Sequence, residues 1–224
     1  MDAFLRERNQ SLGTKFFVIQ FNLMHITWHG LSCVKLQIQD TQLLFNPFQD
    51  QFGLAMPKLK VNIVASSNAE DPACNNIQRL QGDPLIITDP GEYEICGIFI
   101  YGIQIAKQHI MYIVEAEGIT LALPGTTITA LNTEQVAAVE GVDIVFLPIT
   151  GSSEGSRAEF MSRLEPRIII PIQYQIPKVK IVQDTLESFA KEMGIQDMTA
   201  EKKIIIKAKD LPVEETKTII LSVA

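Results

Sequence analysis

The chain has 224 residues, of which 46% are hydrophobic and 20% charged, and its formal net charge is −7. This length and apolar content predict one folded domain with a substantial core and exclude a disordered chain. The acidic balance excludes the basic surface that neutralises the phosphates of a nucleic acid. Three cysteines without a CxxC spacing are typical of reduced thiols, so we expect a cytoplasmic protein.

Residues 1–23 are predicted to be an N-terminal extension of uncertain order, ahead of a single domain at 24–224. Its apolar stretch at 16–24 is interrupted by Gln20 and Asn22 and lacks a small-residue cleavage site. The stretch is also too short to span a bilayer, so no membrane partner is expected.

Strand patterns dominate the first half of the chain. Apolar alternation and β-branched runs predict strands at 26–28, 33–38, 42–45, 62–65 and 85–88. Asp89-Pro90-Gly91 predicts a turn, after which strands are expected at 95–105, 111–115 and 119–123. Cys33 and Cys96 lie within these patterns and are predicted to be small core residues.

The second half alternates helix and strand. Capping boxes that begin at Asn132, Ser156 and Asp184 predict helices at 133–140, 157–164 and 185–193, the last ended by Gly194. Strands are predicted at 142–148, 167–172, 202–209 and 216–223. These patterns alone indicate an α/β or α+β domain.

Several segments follow one another in an order that is specific for one family. Residues 24–48 read MHITWHGLSCVKLQIQDTQLLFNPF and are followed by MPKLK, and later come GEYE at 91–94 and EPRIIIPIQY at 165–174. Together they resemble metallo-β-lactamase-fold hydrolases of the bacterial lactonase-like branch, over about residues 24–224. The resemblance implies a four-layer αββα sandwich and zinc-dependent hydrolysis.

The resemblance also locates the metal site, and every ligand position has changed. The family's His-x-His-x-Asp-His loop corresponds to residues 66–73, which contain no histidine. Two registers are open for its ligand positions, which are Asn68, Glu70, Pro72 and Ala73 in one and Ser67, Ala69, Asp71 and Pro72 in the other. The bridging aspartate corresponds to Thr126, the final histidine to Gln173, and the histidine of the family's GHSC motif to Leu31. The resemblance therefore predicts a degenerate site with no metal and no catalytic residue.

Other polar residues offer weaker alternatives. His25 and His29 are four residues apart on an extended chain, where their side chains do not converge, so they are predicted to be surface or hydrogen-bonded. Glu92 and Glu94 share one strand face and could form a carboxylate pair, although a polar edge beside the turn is the favoured interpretation. The serines at 152, 153 and 156 are typical of a loop that leads into a capped helix.

Two functions follow from these observations. The first is a non-catalytic binding or interaction protein without a cofactor, whose partner is an unknown small molecule or protein and which could form a homo-oligomer. The second is a hydrolase of a lactone, ester or phosphoester that uses zinc or another divalent metal at a remodelled site around Glu70, Asp71 and His109.

Overall fold

The computed structural model describes residues 5–8, 16–19 and 23–224. Most of the predicted extension, including Gln20 and Asn22, lies outside the described residues. Two short segments of it pair as antiparallel strands, Leu5–Arg8 with Phe16–Ile19.

The described strands are numbered in chain order. The first nine are β1 (Leu5–Arg8), β2 (Phe16–Ile19), β3 (Met24–Gly30), β4 (Cys33–Ile38), β5 (Thr41–Phe45), β6 (Ile63–Ala65), β7 (Leu85–Ile87), β8 (Gly91–Ile95) and β9 (Ile98–Ala106). The others are β10 (His109–Ala116), β11 (Ile119–Leu123), β12 (Ile144–Pro148), β13 (Ile168–Ile172), β14 (Ala200–Glu201), β15 (Ile204–Ile206), β16 (Lys217–Thr218) and β17 (Ile220–Leu221). The α-helices are α1 (Thr133–Ala138), α2 (Glu154–Leu164) and α3 (Leu186–Met193). Short 3-10 helices lie at Asp50–Phe52, Ile77–Arg79 and Ala208–Asp210.

Two mixed sheets form a sandwich. The first has the strand order β15-β3-β4-β5-β6-β7, and the second has the order β16-β13-β12-β11-β10-β9-β8. In the first sheet β5, β6 and β7 are parallel, and in the second β11, β12, β13 and β16 are parallel. The predicted α/β sandwich is thus confirmed. Because the carboxyl ends of parallel strands meet at one edge of a sheet, the loops that follow them can build a common site.

Both sheets are covered on two faces. All five residues of β12 and of β13 are buried, as expected for parallel strands that lie between the other sheet and a helical layer. Phe160 of α2 and Phe189 of α3 belong to the same core cluster as these strands. A second apolar cluster, which includes Leu31, Phe48 and Met56, contains residues of β4, β5 and β6 and of the segment that carries the first 3-10 helix. Among the described residues, no helix is long and apolar enough to cross a membrane.

Two predicted helix starts are wrong, and both errors come from neighbouring residues that can cap. α1 has the predicted box between Asn132 and Gln135. α2 begins earlier than predicted, because the side chain of Ser153 accepts a hydrogen bond from the backbone N–H of Ser156. In α3 the capping side chain is that of Thr185 and not that of Asp184.

A hairpin interrupts the strand predicted at 95–105. Cys96 and Gly97 have φ of 54° and 76° and form a two-residue turn between β8 and β9, as in a type I′ hairpin. Cys96 is therefore exposed, and its predicted place in the core is wrong, whereas Cys33 is buried as predicted.

The last two predicted strands are also broken. The strand at 202–209 is reduced to β15 followed by the third 3-10 helix, and the strand at 216–223 is divided into β16 and β17. β16 and β17 pair with different strands, β13 and β14, and this is why they are separate.

Candidate functional site

The loop that follows β6 lies between the two sheets. The backbone N–H of Ser66 donates to the carbonyl of Ile87 at 2.9 Å, within the first sheet. One residue later, the carbonyl of Ser67 accepts from the N–H of Ile110 on β10 at 2.9 Å, which ties the loop to the second sheet. Ser67, one of the predicted site residues, therefore lies at the end of the sandwich where the parallel strands end.

A neutral hydrogen-bond network forms the base of this loop. The side-chain oxygen of Asn46, which follows β5, accepts from the N–H of Ser67 at 2.8 Å, and its amide nitrogen donates to Ser32 Oγ at 3.2 Å. Ser67 Oγ lies 3.4 Å from Cys74 Sγ. All four side chains are buried. The asparagine and the two serines are neutral, and burial raises the pKa of the Cys74 thiol to about 12. The thiol is therefore protonated at neutral pH and is neutral as well.

The carboxylates of the loop accept hydrogen bonds from other protein groups. Asp71 Oδ1 accepts from the N–H of Ala73 at 2.8 Å, as in an Asx turn. Glu70 is exposed, and its Oε2 accepts from Gln108 Nε2 at 2.7 Å. The two carboxylates are thus engaged by different partners, Asp71 by the backbone of Ala73 and Glu70 by the side chain of Gln108.

The remaining loop positions are held through their backbone. The side-chain oxygen of Asn68 accepts from the N–H of Glu70 at 3.0 Å, and the carbonyl of Ala69 accepts from Asn75 Nδ2 at 3.1 Å. The carbonyl of Pro72 accepts from the N–H of Gln49 at 2.9 Å. These contacts fix a compact loop.

The loop after β11 packs directly on this network. Gly125 has φ of +88°, and a Cβ added to it would lie 2.5 Å from Ser67 Oγ and 3.2 Å from His109 Nε2. The His109 ring is buried and donates from Nε2 to the carbonyl of Pro124 at 2.8 Å. Thr126, the next residue, is half-buried beside this contact. Glycine is required here by both the backbone conformation and the close approach.

Gln173 directly follows β13 and contacts the turn that carries Leu31. Its N–H and the indole N–H of Trp28 both donate to the carbonyl of Leu31, at 3.2 and 2.9 Å. The Thr150 hydroxyl donates to the carbonyl of Gln173. Leu31 is 1% exposed and packs in the apolar cluster of the first sheet.

Arg157 supports this region and was not predicted from the sequence. It is buried on α2 and donates to the carbonyls of Ile149 and Ser152, the segment that carries Thr150. Its guanidinium also forms a two-bond ion pair with Glu192 of α3. The serine-rich segment at 152–156 thus caps and anchors α2, as the loop interpretation expected.

Changing Glu192 to glutamine is expected to lower the free energy of unfolding by about 1 kcal/mol, because Arg157 keeps its carbonyl acceptors and loses only the charged partner. Urea denaturation of Glu192→Gln measures this. Glu159→Gln on the exposed face of α2 is the control and should change stability by less than about 0.5 kcal/mol. Equal effects of the two variants would contradict the buried ion pair.

One of the two remaining histidines differs from expectation. His29 lies within β3, is 6% exposed, and has no hydrogen-bond partner at either ring nitrogen, so the surface or hydrogen-bonded interpretation is wrong for it. Burial, and secondarily Lys35, lowers the pKa of His29 to about 4. His25 is half-buried, with its Nδ1 unpaired. Glu92 and Glu94 are exposed on β8, which confirms the polar edge.

The donors at the site do not fit zinc. Among residues 23–224, no three side chains of histidine, cysteine, aspartate or glutamate are placed to share a metal ion. The polar groups that these loops bring together are mostly hydroxyls, amides and a protonated thiol, whereas zinc is bound by imidazole, thiolate or carboxylate. Glu70, Asp71 and His109 are engaged by Gln108, Ala73 and Pro124 respectively, and are not assembled as one ligand set.

Comparisons with known proteins agree on the fold. Residues 25–173 match the family model described as "Beta-lactamase superfamily domain". A candidate zinc-dependent hydrolase of the metallo-β-lactamase superfamily from Thermotoga maritima is 23% identical, with a TM-score of 0.70 over 88% of this chain and 98% of its own. Igni18, a metallo hydrolase from Ignicoccus hospitalis, is 13% identical, with a TM-score of 0.57 over 83% and 99% of the two chains. CmlA, a diiron β-hydroxylase from Streptomyces venezuelae, is 11% identical, with a TM-score of 0.59 over 85% and 55%. No curated protein matches the chain.

Proposed function

The chain belongs to the β-lactamase superfamily domain family, and from this premise we propose that it is a non-catalytic binding or interaction protein whose ancestral metal site has been replaced by a neutral network. Fold similarity alone does not assign an activity, because unrelated reactions occur on one fold. The proposal therefore depends on the residues of the site.

The packing of Gly125 on Ser67 is the observation that carries the proposal. Zinc lies about 2.0–2.2 Å from nitrogen and oxygen ligands, so ligands on two facing loops need an ion-sized space between them. Here even a methyl group on Gly125 would be only 2.5 Å from Ser67 Oγ. The loops of the two sheets are in contact, and the buried polar atoms of Ser67 and Asn46 are already hydrogen-bonded to protein groups.

The competing hypothesis is a metal-dependent hydrolase with a remodelled site at Glu70, Asp71 and His109. It would require Glu70, Asp71 and His109 to converge on one ion, and among the described residues they do not form such a group. Bringing them together would need a rearrangement of the loop contacts described above, which disfavours the hypothesis.

Metal content separates the two functions. We expect less than about 0.1 metal ion per chain after exposure to Zn²⁺, Mn²⁺ and Fe²⁺ and desalting, because no convergent ligand set exists among the described residues. Elemental analysis of the untagged protein measures this, with Glu70→Gln/Asp71→Asn as the matched variant. Stoichiometric metal that the double variant loses would overturn the proposal and favour the hydrolase.

We also propose that residues 24–224 act as one domain in the cytoplasm. The three cysteines are all free, and Cys33 and Cys74 are buried, which suits a reducing compartment.

A further inference from the structure

β8 has one edge without a partner. It is the last strand of the seven-stranded sheet and, among the described residues, it pairs only with β9. Tyr93 and Ile95 lie opposite Ile100 and Ile98, which are buried in the core, so this side of β8 faces inward. An unpaired strand edge presents a row of N–H and C=O groups that can accept another strand.

The outward side of the same strand combines apolar and acidic groups. Glu94 lies opposite Phe99, and Phe99 lies opposite Glu115 on β10. Phe99 is 40% exposed, and Glu92, Glu94 and Glu115 are also open to solvent. None of these glutamates forms an ion pair with a described residue.

The carboxylates of three glutamates influence the ring of Tyr101. Tyr101 lies opposite Glu92, and its pKa is raised by desolvation and then by the negative charges of Glu115, Glu92 and Glu94. The polar and apolar groups that a partner strand would need are therefore present at this edge.

A second copy of the chain, paired about the centre of β8, would bring like charges together at this edge. Antiparallel pairing of β8 with itself, centred on Tyr93, would place Glu92 opposite Glu94 of the other copy, and would do so twice. Like charges that lie directly opposite each other destabilise a strand pair. A strand with Lys or Arg at alternate positions would instead oppose both glutamates, and the apolar residues between them would cover Tyr93 and Ile95.

We propose that the free edge of β8, with Glu92, Glu94 and Phe99, binds an extended segment of a partner protein in which basic and apolar residues alternate. Strand addition gives affinity through backbone hydrogen bonds and specificity through alternate side chains. The Phe99 ring, which lies between two carboxylates, can also receive the stem or the charged end of a basic side chain. This inference does not depend on the loss of the metal site.

A designed peptide tests the proposal on the full-length protein. The probe is a fluorescein-labelled peptide of sequence Lys-Val-Lys-Ile-Lys-Val-Lys, and the control peptide has glutamate in place of lysine. We expect saturable binding of the probe alone by fluorescence anisotropy, weakening as salt rises. Glu92→Gln/Glu94→Gln should weaken binding about tenfold, and Glu214→Gln/Glu215→Gln, which removes the same charge from another exposed segment, should change it less than about twofold.

Amide hydrogen exchange locates the contact. Addition of the probe should slow exchange in β8 and leave β16, at the opposite edge of the sheet, unchanged. Equal weakening by the two double variants, or unchanged exchange in β8, would overturn the proposal. A wild-type dimer in sedimentation that itself protects β8 would also overturn it, since the edge would then be a self-interface.

Discussion

Replacing Gly125 with alanine is expected to lower the free energy of unfolding by about 2–4 kcal/mol. Part of this cost is conformational, because φ is +88° and an alanine there is strained. The rest is steric, since the new methyl group would lie 2.5 Å from Ser67 Oγ and 2.6 Å from Ser67 Cβ. Urea denaturation at neutral pH measures the effect.

A matched glycine separates the two causes. Gly141 has φ of +80°, and nothing lies within 4 Å of a Cβ added to it, so Gly141→Ala carries the strain alone and should cost about 1 kcal/mol. Adding Ser67→Gly to Gly125→Ala should recover part of the steric loss. If Gly125→Ala costs no more than Gly141→Ala, the two loops are apart, and the space for a metal or substrate is open.

The strand positions were predictable where a turn signal bounded an apolar pattern. β4 and β11 have the predicted bounds, and β11 follows a turn at Glu117-Gly118. The hairpin at Cys96 was missed, because a cysteine with positive φ lacks the Asn-Gly or Asp-Gly signal of such turns. Local sequence therefore predicts strands better than it predicts an unusual turn residue.

The site was only partly predictable, because its contacts join distant parts of the chain. The resemblance selected Ser67, Thr126 and Gln173, and the structure places all three after parallel strands at one end of the sandwich. Their assignment as former metal positions stays a prediction. Asn46 and Arg157 were not selected, although each fixes a site loop. In the local sequence, Asn46 resembles the end of a strand and Arg157 resembles the exposed face of a helix. Their partners are brought to them only by the packing of the sheets and helices.

His29 is expected to make the protein sensitive to acid. Its pKa is about 4 in the folded protein, against the ordinary value of 6.5 that holds for the unfolded chain, because burial disfavours the imidazolium. Below pH 6.5 the unfolded chain takes up a proton that the folded protein does not bind until about pH 4. The contribution of neutral His29 to the free energy of unfolding is therefore fully present above pH 6.5. It falls as the pH decreases through this window, by about 3 kcal/mol in total.

The variant His29→Leu tests this relation, since leucine fills a similar buried volume and cannot be protonated. We expect its free energy of unfolding to change less between pH 7 and pH 4.5 than that of the wild type, by about 2 kcal/mol. At pH 7 the variant should be at least as stable as the wild type, because both ring nitrogens of His29 are buried without a partner. His109→Leu is the control: it removes a hydrogen bond to the carbonyl of Pro124 and should be destabilising at pH 7. If His29→Leu keeps the full acid-induced loss, the proton uptake belongs to other groups and the imidazole of His29 is not held neutral by burial.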